Sequence, residues 1–166
     1  MTKIFVPDPG DTKPLRAAFG QFGTGVCVVT AEADIGPVGI TVNSFSSVSL
    51  DPPMVLWCVG KKSDRHDTFC TAQNFAVHIC SDAQDDLIMG FARKANAFDL
   101  CPGWTRSETG VPLIENCPAR FECVLRNTVD AGDHTVILGE VTRVAMGTGT
   151  PRLFMASKFG HFVERG

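Results

Sequence analysis

Apolar and polar positions change period several times along this chain. Over 11–20, Leu15, Ala18 and Phe19 recur at helical spacing behind Asp11 or Thr12 as cap and Pro14 in the first turn. This predicts a short helix with those three residues inward. Gly20, Gly23 and Gly25 end it, and the first ten residues read as loose. VCVVT at 26–30 predicts a β-branched strand, 32–37 a turn, and 38–43 and 46–50 two further strands stopped by Pro52-Pro53. Residues 54–59 predict a buried strand, and Ser63 is placed to cap a helix reaching about residue 72. A strand at 75–80 precedes Ser81-x-x-Gln84, a capping-box pattern for a helix reaching about residue 93. Residues 94–119 read as irregular, with turn signals at Pro102-Gly103, Gly110 and Cys117-Pro118. Two long strands, 120–129 and 134–146, flank the hairpin signal Asp130-Ala131-Gly132-Asp133, and 153–163 gives a last short strand and a tail. Strands and helices do not alternate, which argues against a doubly wound parallel sheet. The pattern instead predicts a mainly β, antiparallel barrel with peripheral helices.

Residues 36–53, GPVGITVNSFSSVSLDPP, break the rule of alternation. Thr41, Asn43, Ser44, Ser46, Ser47 and Ser49 crowd a short stretch that carries no charge before Asp51. Short hydroxyl and amide side chains let a backbone approach a planar, polar-edged, phosphorylated ligand, and their donors can read ring carbonyls and phosphate. Taken alone, the block is equally readable as a hydroxyl-rich edge strand.

Composition narrows the classes. The 166 residues suit one domain spanning 1–166, and 44 % hydrophobic with 20 % charged residues is ordinary for a globular chain. A net charge of −3 with no basic run argues against nucleic acid as the main partner. The longest apolar run, MVLWCVG at 54–60, is too short to cross a bilayer, and MTKIFVPDPGDTKP has no apolar core of a secretory signal, so no membrane role and a cytoplasmic location are expected. Seven cysteines, none spaced C-x-x-C, read as reduced thiols that mostly pack as small hydrophobes. His78-Ile79-Cys80 puts two ligand types on one strand face, but no second ligand pair accompanies them, so no metal is expected. No dinucleotide G-x-G-x-x-G, P-loop, G-x-S-x-G or H-E-x-x-H is present; Gly20-Gln21-Phe22-Gly23-Thr24-Gly25 has the wrong spacing and enters a strand.

Several blocks together resemble the flavin reductase-like family, whose fold is the FMN-binding split β-barrel of Greek-key type. They are F-x-T-G-V-x-V-V-T at 22–30, G-x-T-x-N-S-F-x-S-V-S-L-x-P-P at 39–53, Val59-Gly60-Lys61-Lys62-Ser63, F-A-V-x-I at 75–79, Phe91-Ala92, Gly132-Asp133-His134-Thr135 and Gly139-Glu140-Val141. The resemblance runs from about residue 14 to 163; the 39–53 and 132–135 blocks, in this order, make it specific, while 94–119 matches nothing in it.

The resemblance implies roles residue by residue. Thr41, Val42, Asn43, Ser44, Ser47 and Val48 match the positions that hold the isoalloxazine and ribityl chain. Lys62, Ser63, Asp64 and Arg65 match the phosphate end, with Ala92 and Arg93 (and Lys94 beside them) also near it. His134 matches the nicotinamide-side histidine, with an orienting role, and His161 is placed to reach a flavin across a dimer interface. His66, His78, Trp57 and Trp104 read as structural.

The expectation is therefore a homodimeric NAD(P)H:flavin oxidoreductase. It binds FMN, with FAD as the other candidate, takes hydride from NADH or NADPH, and supplies reduced flavin to a partner oxygenase. Two alternatives stay open: a flavin-dependent reductase of a bound acceptor such as a cobalt corrinoid, and a flavin- or haem-binding module of the same barrel without turnover.

Overall fold

In the computed structural model, which describes residues 2–164, the β-rich segments join into one curled sheet. In chain order the strands are β1 (Thr24–Gly25), β2 (Cys27–Ala33), β3 (Gly36–Val42), β4 (Ser46–Leu50), β5 (Pro53–Gly60), β6 (Asn74–Ile79), β7 (Thr105–Arg106), β8 (Pro112–Leu113), β9 (Ala119–Ala131), β10 (His134–Met146), β11 (Leu153–Met155) and β12 (Lys158–Gly160). Three helices, α1 (Lys13–Phe19), α2 (His66–Thr71) and α3 (Asp85–Arg93), and a 3-10 turn (Ala97–Leu100) complete the described elements.

The main sheet is seven-stranded in the order β3-β2-β6-β9-β10-β5-β4, every neighbouring pair antiparallel. Its two edges, β3 and β4, follow each other in the chain with only residues 43–45 between them. That short link draws the edges together, so the sheet curls into a barrel that is split between β3 and β4. The non-sequential order, built from the β2–β3, β4–β5 and β9–β10 hairpins with β6 inserted, is of Greek-key type. The barrel and its antiparallel pairing agree with the sequence reading.

Burial explains the patterns. Cys27, Val29 and Ala31 of β2 face the barrel interior with Trp57, Phe75 and Ile137, while Val26 and Val28 face α3. β2 is covered on both sides, which is why VCVV shows no alternation. Inside the barrel Trp57 meets Phe69 and Phe75 edge-on at 5.1 and 6.0 Å. The second cluster packs Leu87, Ile88 and Phe91 of α3 against Val28 and Phe98. Trp104 anchors the 94–119 segment, with its ring 5.0 Å from Phe98 and under the Arg106 guanidinium at 4.9 Å. His78 joins that segment to the sheet. Its Nδ1 lies 3.0 Å from the Val28 carbonyl, and its Nε2 accepts the Ile114 N–H at 3.0 Å. These are the structural roles expected of Trp57, Trp104 and His78.

Several local expectations are corrected. α1 forms with Pro14 in its first turn but buries none of its residues: Leu15 is only partly covered, Ala18 is exposed and Phe19 is 69 % exposed. The turn expected at 32–37 is shorter, because Glu32 and Ala33 already pair with Pro37 and Gly36. β5 buries Val55, Trp57 and Val59 but leaves the alternate positions half-buried, so it is one-sided rather than fully enclosed. Ser63 does not cap a helix; α2 begins at His66, because residues 63–66 close a turn through the His66 N–H and the Ser63 carbonyl. The capping box at α3 forms in half. Gln84 Oε1 accepts the Ser81 N–H at 2.9 Å, but no side chain caps the first turn. The segment 94–119 contains a 3-10 turn and the β7–β8 pair, and 153–163 contains the β11–β12 hairpin instead of one strand. Residues 2–7 have no regular structure and are exposed.

Candidate functional site

An apolar slot beside the polar block lies between β3 and α3. Thr41, Val42 and Asn43 form one side, Ile88, Met89 and Ala92 the other, and Phe154 and Phe159 of the terminal hairpin close one end, around about 230 Å³. Through Asn43 and Phe154 it opens into a wider hollow of about 690 Å³ bounded by Arg16, Phe19, Gly20, Phe22 and Thr24. Thr24 Oγ1 is buried there without a hydrogen-bond partner among the described residues.

Hydrogen bonds fix the slot's walls. The Thr41 hydroxyl donates to the Ile88 carbonyl at 2.6 Å, and the Gly39 N–H to the Ala95 carbonyl at 2.8 Å. Arg65 Nη1 donates to the carbonyls of Phe91 and Gly39 at 2.7 and 3.2 Å, and its Nε to Asp64 at 3.1 Å. Gly39 is required here: a Cβ at this position would stand 2.5 Å from Cε1 of Phe91. At the other end of α3, Arg152 Nε donates to Asp85 at 2.7 Å.

The hydroxyl-rich block therefore divides. The Thr41 and Ser44 hydroxyls are taken by protein groups, Ser44 accepting the Cys58 N–H at 2.9 Å. Asn43, Ser46, Ser47 and Val48 stay exposed on the β3–β4 link and the edge strand β4, whose register against β5 is broken by a bulge between Ser47 and Ser49. An edge strand leaves peptide N–H and C=O groups without ladder partners, ready for a ligand.

A second cluster gathers where β5 ends and β10 begins. His134 pairs with Gly60 across the two strands, and its ring lies over that glycine, with Nε2 3.6 Å from where a Cβ would be. His134 Nδ1 is hydrogen-bonded to Asp133 at 2.8 Å, and this contact holds the Asp133 carboxyl below its ordinary range. Lys61 pairs with Asp130 at 2.5 Å and lowers that carboxyl likewise. Lys62 is exposed, and Ser63 Oγ accepts the Arg65 N–H at 3.2 Å. Among the described residues, Lys62 and Arg93 have no ion-pair partner, whereas Lys94 pairs with Asp99 at 3.0 Å.

Of the expected residues, the slot thus unites Thr41, Val42, Asn43 and Ala92, with Arg93 next in sequence. Arg65 joins them from behind through its backbone contacts. Ser47 and Val48 lie along the neighbouring edge, and Lys62, Ser63, Asp64 and His134 stand at the adjoining strand ends. His161 lies just beyond β12, exposed and outside the slot formed by one chain. The sequence reading did not single out Val26, Ile88, Met89, Phe154 or Phe159. Phe22 and Thr24 stand in the 22–30 block of the family resemblance, which assigns them no site role.

An apolar slot of this size accepts a flat aromatic ring system. Open peptide groups along β4, the orphaned Thr24 hydroxyl and the free cations Lys62 and Arg93 suit a polar-edged, phosphorylated one. Among the described residues no cluster of three or more His, Cys, Asp or Glu could hold a metal. Burial pushes all seven cysteine thiols up, Cys27 and Cys123 to about 12 and Cys101 to about 11, which leaves them poor nucleophiles.

Known proteins are similar to this chain in sequence and in fold. The flavin reductase like domain family matches residues 19–162. An FMN reductase (NADH), SmoA, of Agrobacterium fabrum is 49 % identical over 159 residues, covering 96 % of this chain and 91 % of its own. The reductase component of a flavin-dependent trigonelline monooxygenase of Acinetobacter baylyi is 43 % identical over 78 % of this chain, which spans only 42 % of that protein. Among solved structures, the NADH:FAD oxidoreductase SgcE6 of Streptomyces globisporus superimposes with a TM-score of 0.89 at 37 % identity, over 100 % of this chain and 96 % of its own. With the slot, the 39–53 block and the His134 hairpin all inside the matched span, the chain belongs to the flavin reductase-like family.

Proposed function

We propose that this protein is an NADH-dependent flavin reductase that binds FMN, or FAD, in the slot between β3 and α3. The carrying observation is the slot itself: apolar walls from Val26, Ile88 and Phe154, polar peptide edges from residues 43–48, and free cations at Arg93 and Lys62. When bound, a flavin supplies two-electron redox chemistry at its ring. Val42 and Ala92 would hold the ring system, and Asn43, Ser47 and the peptide edge beside Val48 would offer it donors, which favour the negative charge that reduction adds. Lys62 and Arg93, with the Ser63 hydroxyl, provide for the phosphate. Asp133 holds the His134 ring through Nδ1, over Gly60, so the imidazole orients an incoming nicotinamide rather than moving a proton.

Finer features belong to the same proposal. The hollow beside the slot is bordered by Phe19 and by Phe22, 77 % exposed, with Phe162 exposed on the tail after β12. A second copy of the chain covering these groups makes a homodimer and brings His161 to the partner's flavin. Reduced flavin then serves an oxygenase partner, the setting in which the Acinetobacter relative is named. NADPH as a second donor and a cytoplasmic location complete the reading. A corrinoid reductase or a non-catalytic module is less well supported, because the relatives with high coverage carry reductase names.

Steady-state NADH oxidation by the purified protein, with and without added FMN or FAD, tests this. Flavin-dependent turnover is expected. Turnover that needs a corrinoid instead, or binding without turnover, would select one of the alternatives.

A further inference from the structure

We infer that Arg65 is a positioning residue: it clamps α3 against β3 and so sets the width of the flavin slot, instead of binding the flavin phosphate. The inference rests on the proposed flavin site.

Arg65 sits where a phosphate ligand would be sought, three residues after Lys62, in the turn before α2. Its side chain is nevertheless only 12 % exposed, and its guanidinium is directed at the protein. Nη1 donates to the carbonyl of Phe91, in the last turn of α3, and to that of Gly39, in β3. Carbonyls in the last turn of a helix lack intrahelical donors, and a cation there also meets the negative end of the helix dipole. One guanidinium group thus ties together both walls of the slot. The tie falls one residue before Ala92, which lines the slot, and two before Arg93, whose charge is free.

The Gly39 N–H also binds the Ala95 carbonyl, just past the end of α3, and the other hydrogen-bonding restraints act farther back along the helix. Arg152 holds its first turn through Asp85, and Thr41 holds its middle through the Ile88 carbonyl. Among the described residues, Arg65 is the side chain that reaches the C-terminal turn from the loop that follows β5. The Phe91 ring already fills the space over Gly39, so the two elements cannot close further; without Arg65 they can only move apart. A wider slot loses contact with the ring system, which every flavin shares, and not with the phosphate alone.

The test compares FMN with riboflavin, which has no phosphate. Fluorescence quenching gives both affinities for wild type, Arg65→Ala and Arg65→Lys. Hydrogen exchange of the flavin-free proteins reports on the amides of residues 91–94. Arg65→Ala is expected to weaken FMN and riboflavin by the same factor, on the order of tenfold for one lost charge-assisted contact, and to speed exchange at 91–94. Arg65→Lys, which keeps the charge but not the fork, should recover part of both affinities. A loss confined to FMN, or affinities and exchange that do not change, would overturn the clamp. If Arg65→Ala does not fold, Arg65→Lys carries the same comparison, with a smaller but equal loss for both flavins. If wild type binds neither flavin, the proposed function fails, while the exchange data still judge whether Arg65 holds α3.

Discussion

Ser44 and Cys58 close the seam of the barrel: the Ser44 hydroxyl accepts the Cys58 N–H at 2.9 Å, 14 residues on in the chain. β4 pairs with β5 only up to Ser46 opposite Leu56, so beyond that point the Cys58 amide depends on a side chain. Ser44→Ala leaves this partly buried amide unpaired. A destabilisation of about 1–3 kcal/mol is expected in urea unfolding, with flavin affinity falling only as far as residues 43–48 shift. Unchanged stability would show that water replaces the hydroxyl.

Gly39 faces the Phe91 ring so closely that a Cβ would stand 2.5 Å from Cε1. Gly39→Ala should therefore cost about 1–3 kcal/mol of stability through overpacking. It should also displace α3 from β3 and weaken flavin. Gly36→Ala, at φ +111° but with open space around it, should destabilise through backbone strain yet leave flavin affinity alone.

His78 gives the fold an acid limit. It is fully buried, with Nδ1 at the Val28 carbonyl and Nε2 taken by Ile114, and burial lowers its pKa from 6.5 to about 3. The folded value lies below the unfolded one, so the unfolded chain binds the extra proton. The stability from His78 is complete above pH 6.5 and drains away as pH falls toward 3, at up to about 1.4 kcal/mol per pH unit. Urea unfolding between pH 7 and 4 should show this slope, and His78→Gln should flatten it.

Burial also ranks the thiols. Burial raises the pKa of every thiol, but Cys58 and Cys70 are partly exposed, whereas Cys27, Cys80, Cys101, Cys117 and Cys123 are buried. Alkylation of the native protein at pH 8 should mark Cys58 and Cys70 first, and the other five only after unfolding, as read by peptide mapping. Rapid labelling of Cys117 would show that the 94–119 segment opens.

His134 is held by Asp133 and stands apart from the slot's walls. His134→Ala should leave flavin affinity nearly unchanged and lower kcat/KM for NADH roughly ten- to a hundredfold, about 1.4–2.8 kcal/mol of lost positioning. A loss of flavin binding instead would make His134 a cofactor contact.

The sequence made the strand-rich chain legible because β-branched runs such as VCVVT and the Asp130–Asp133 turn act locally. It showed the polar block at 36–53 for the same reason. It did not show that Thr41 and Ser44 turn their hydroxyls to Ile88 and Cys58, since those partners lie 47 and 14 residues away. Nor did it show Ile88, Met89 or Phe154 as slot residues; apolar side chains in a helix or strand look alike whether they meet a core or a ligand. α1 misled for the converse reason: Leu15 and Phe19 have helical spacing, but in one chain their face has nothing to pack on. Arg65 carried the charge expected of a phosphate ligand, and only its bonds to Phe91 and Gly39 redirect it.

Anaerobic stopped-flow absorbance most directly tests the claim that this slot holds a flavin which NADH reduces. Protein mixed with one equivalent of FMN, and separately of FAD, is driven against NADH while the visible absorbance of the oxidised flavin is followed. The expected result is bleaching that saturates with NADH, far faster than for free flavin, and abolished by blocking the slot with Ala92→Trp. Bleaching no faster than for free flavin, or unaffected by that substitution, would contradict it.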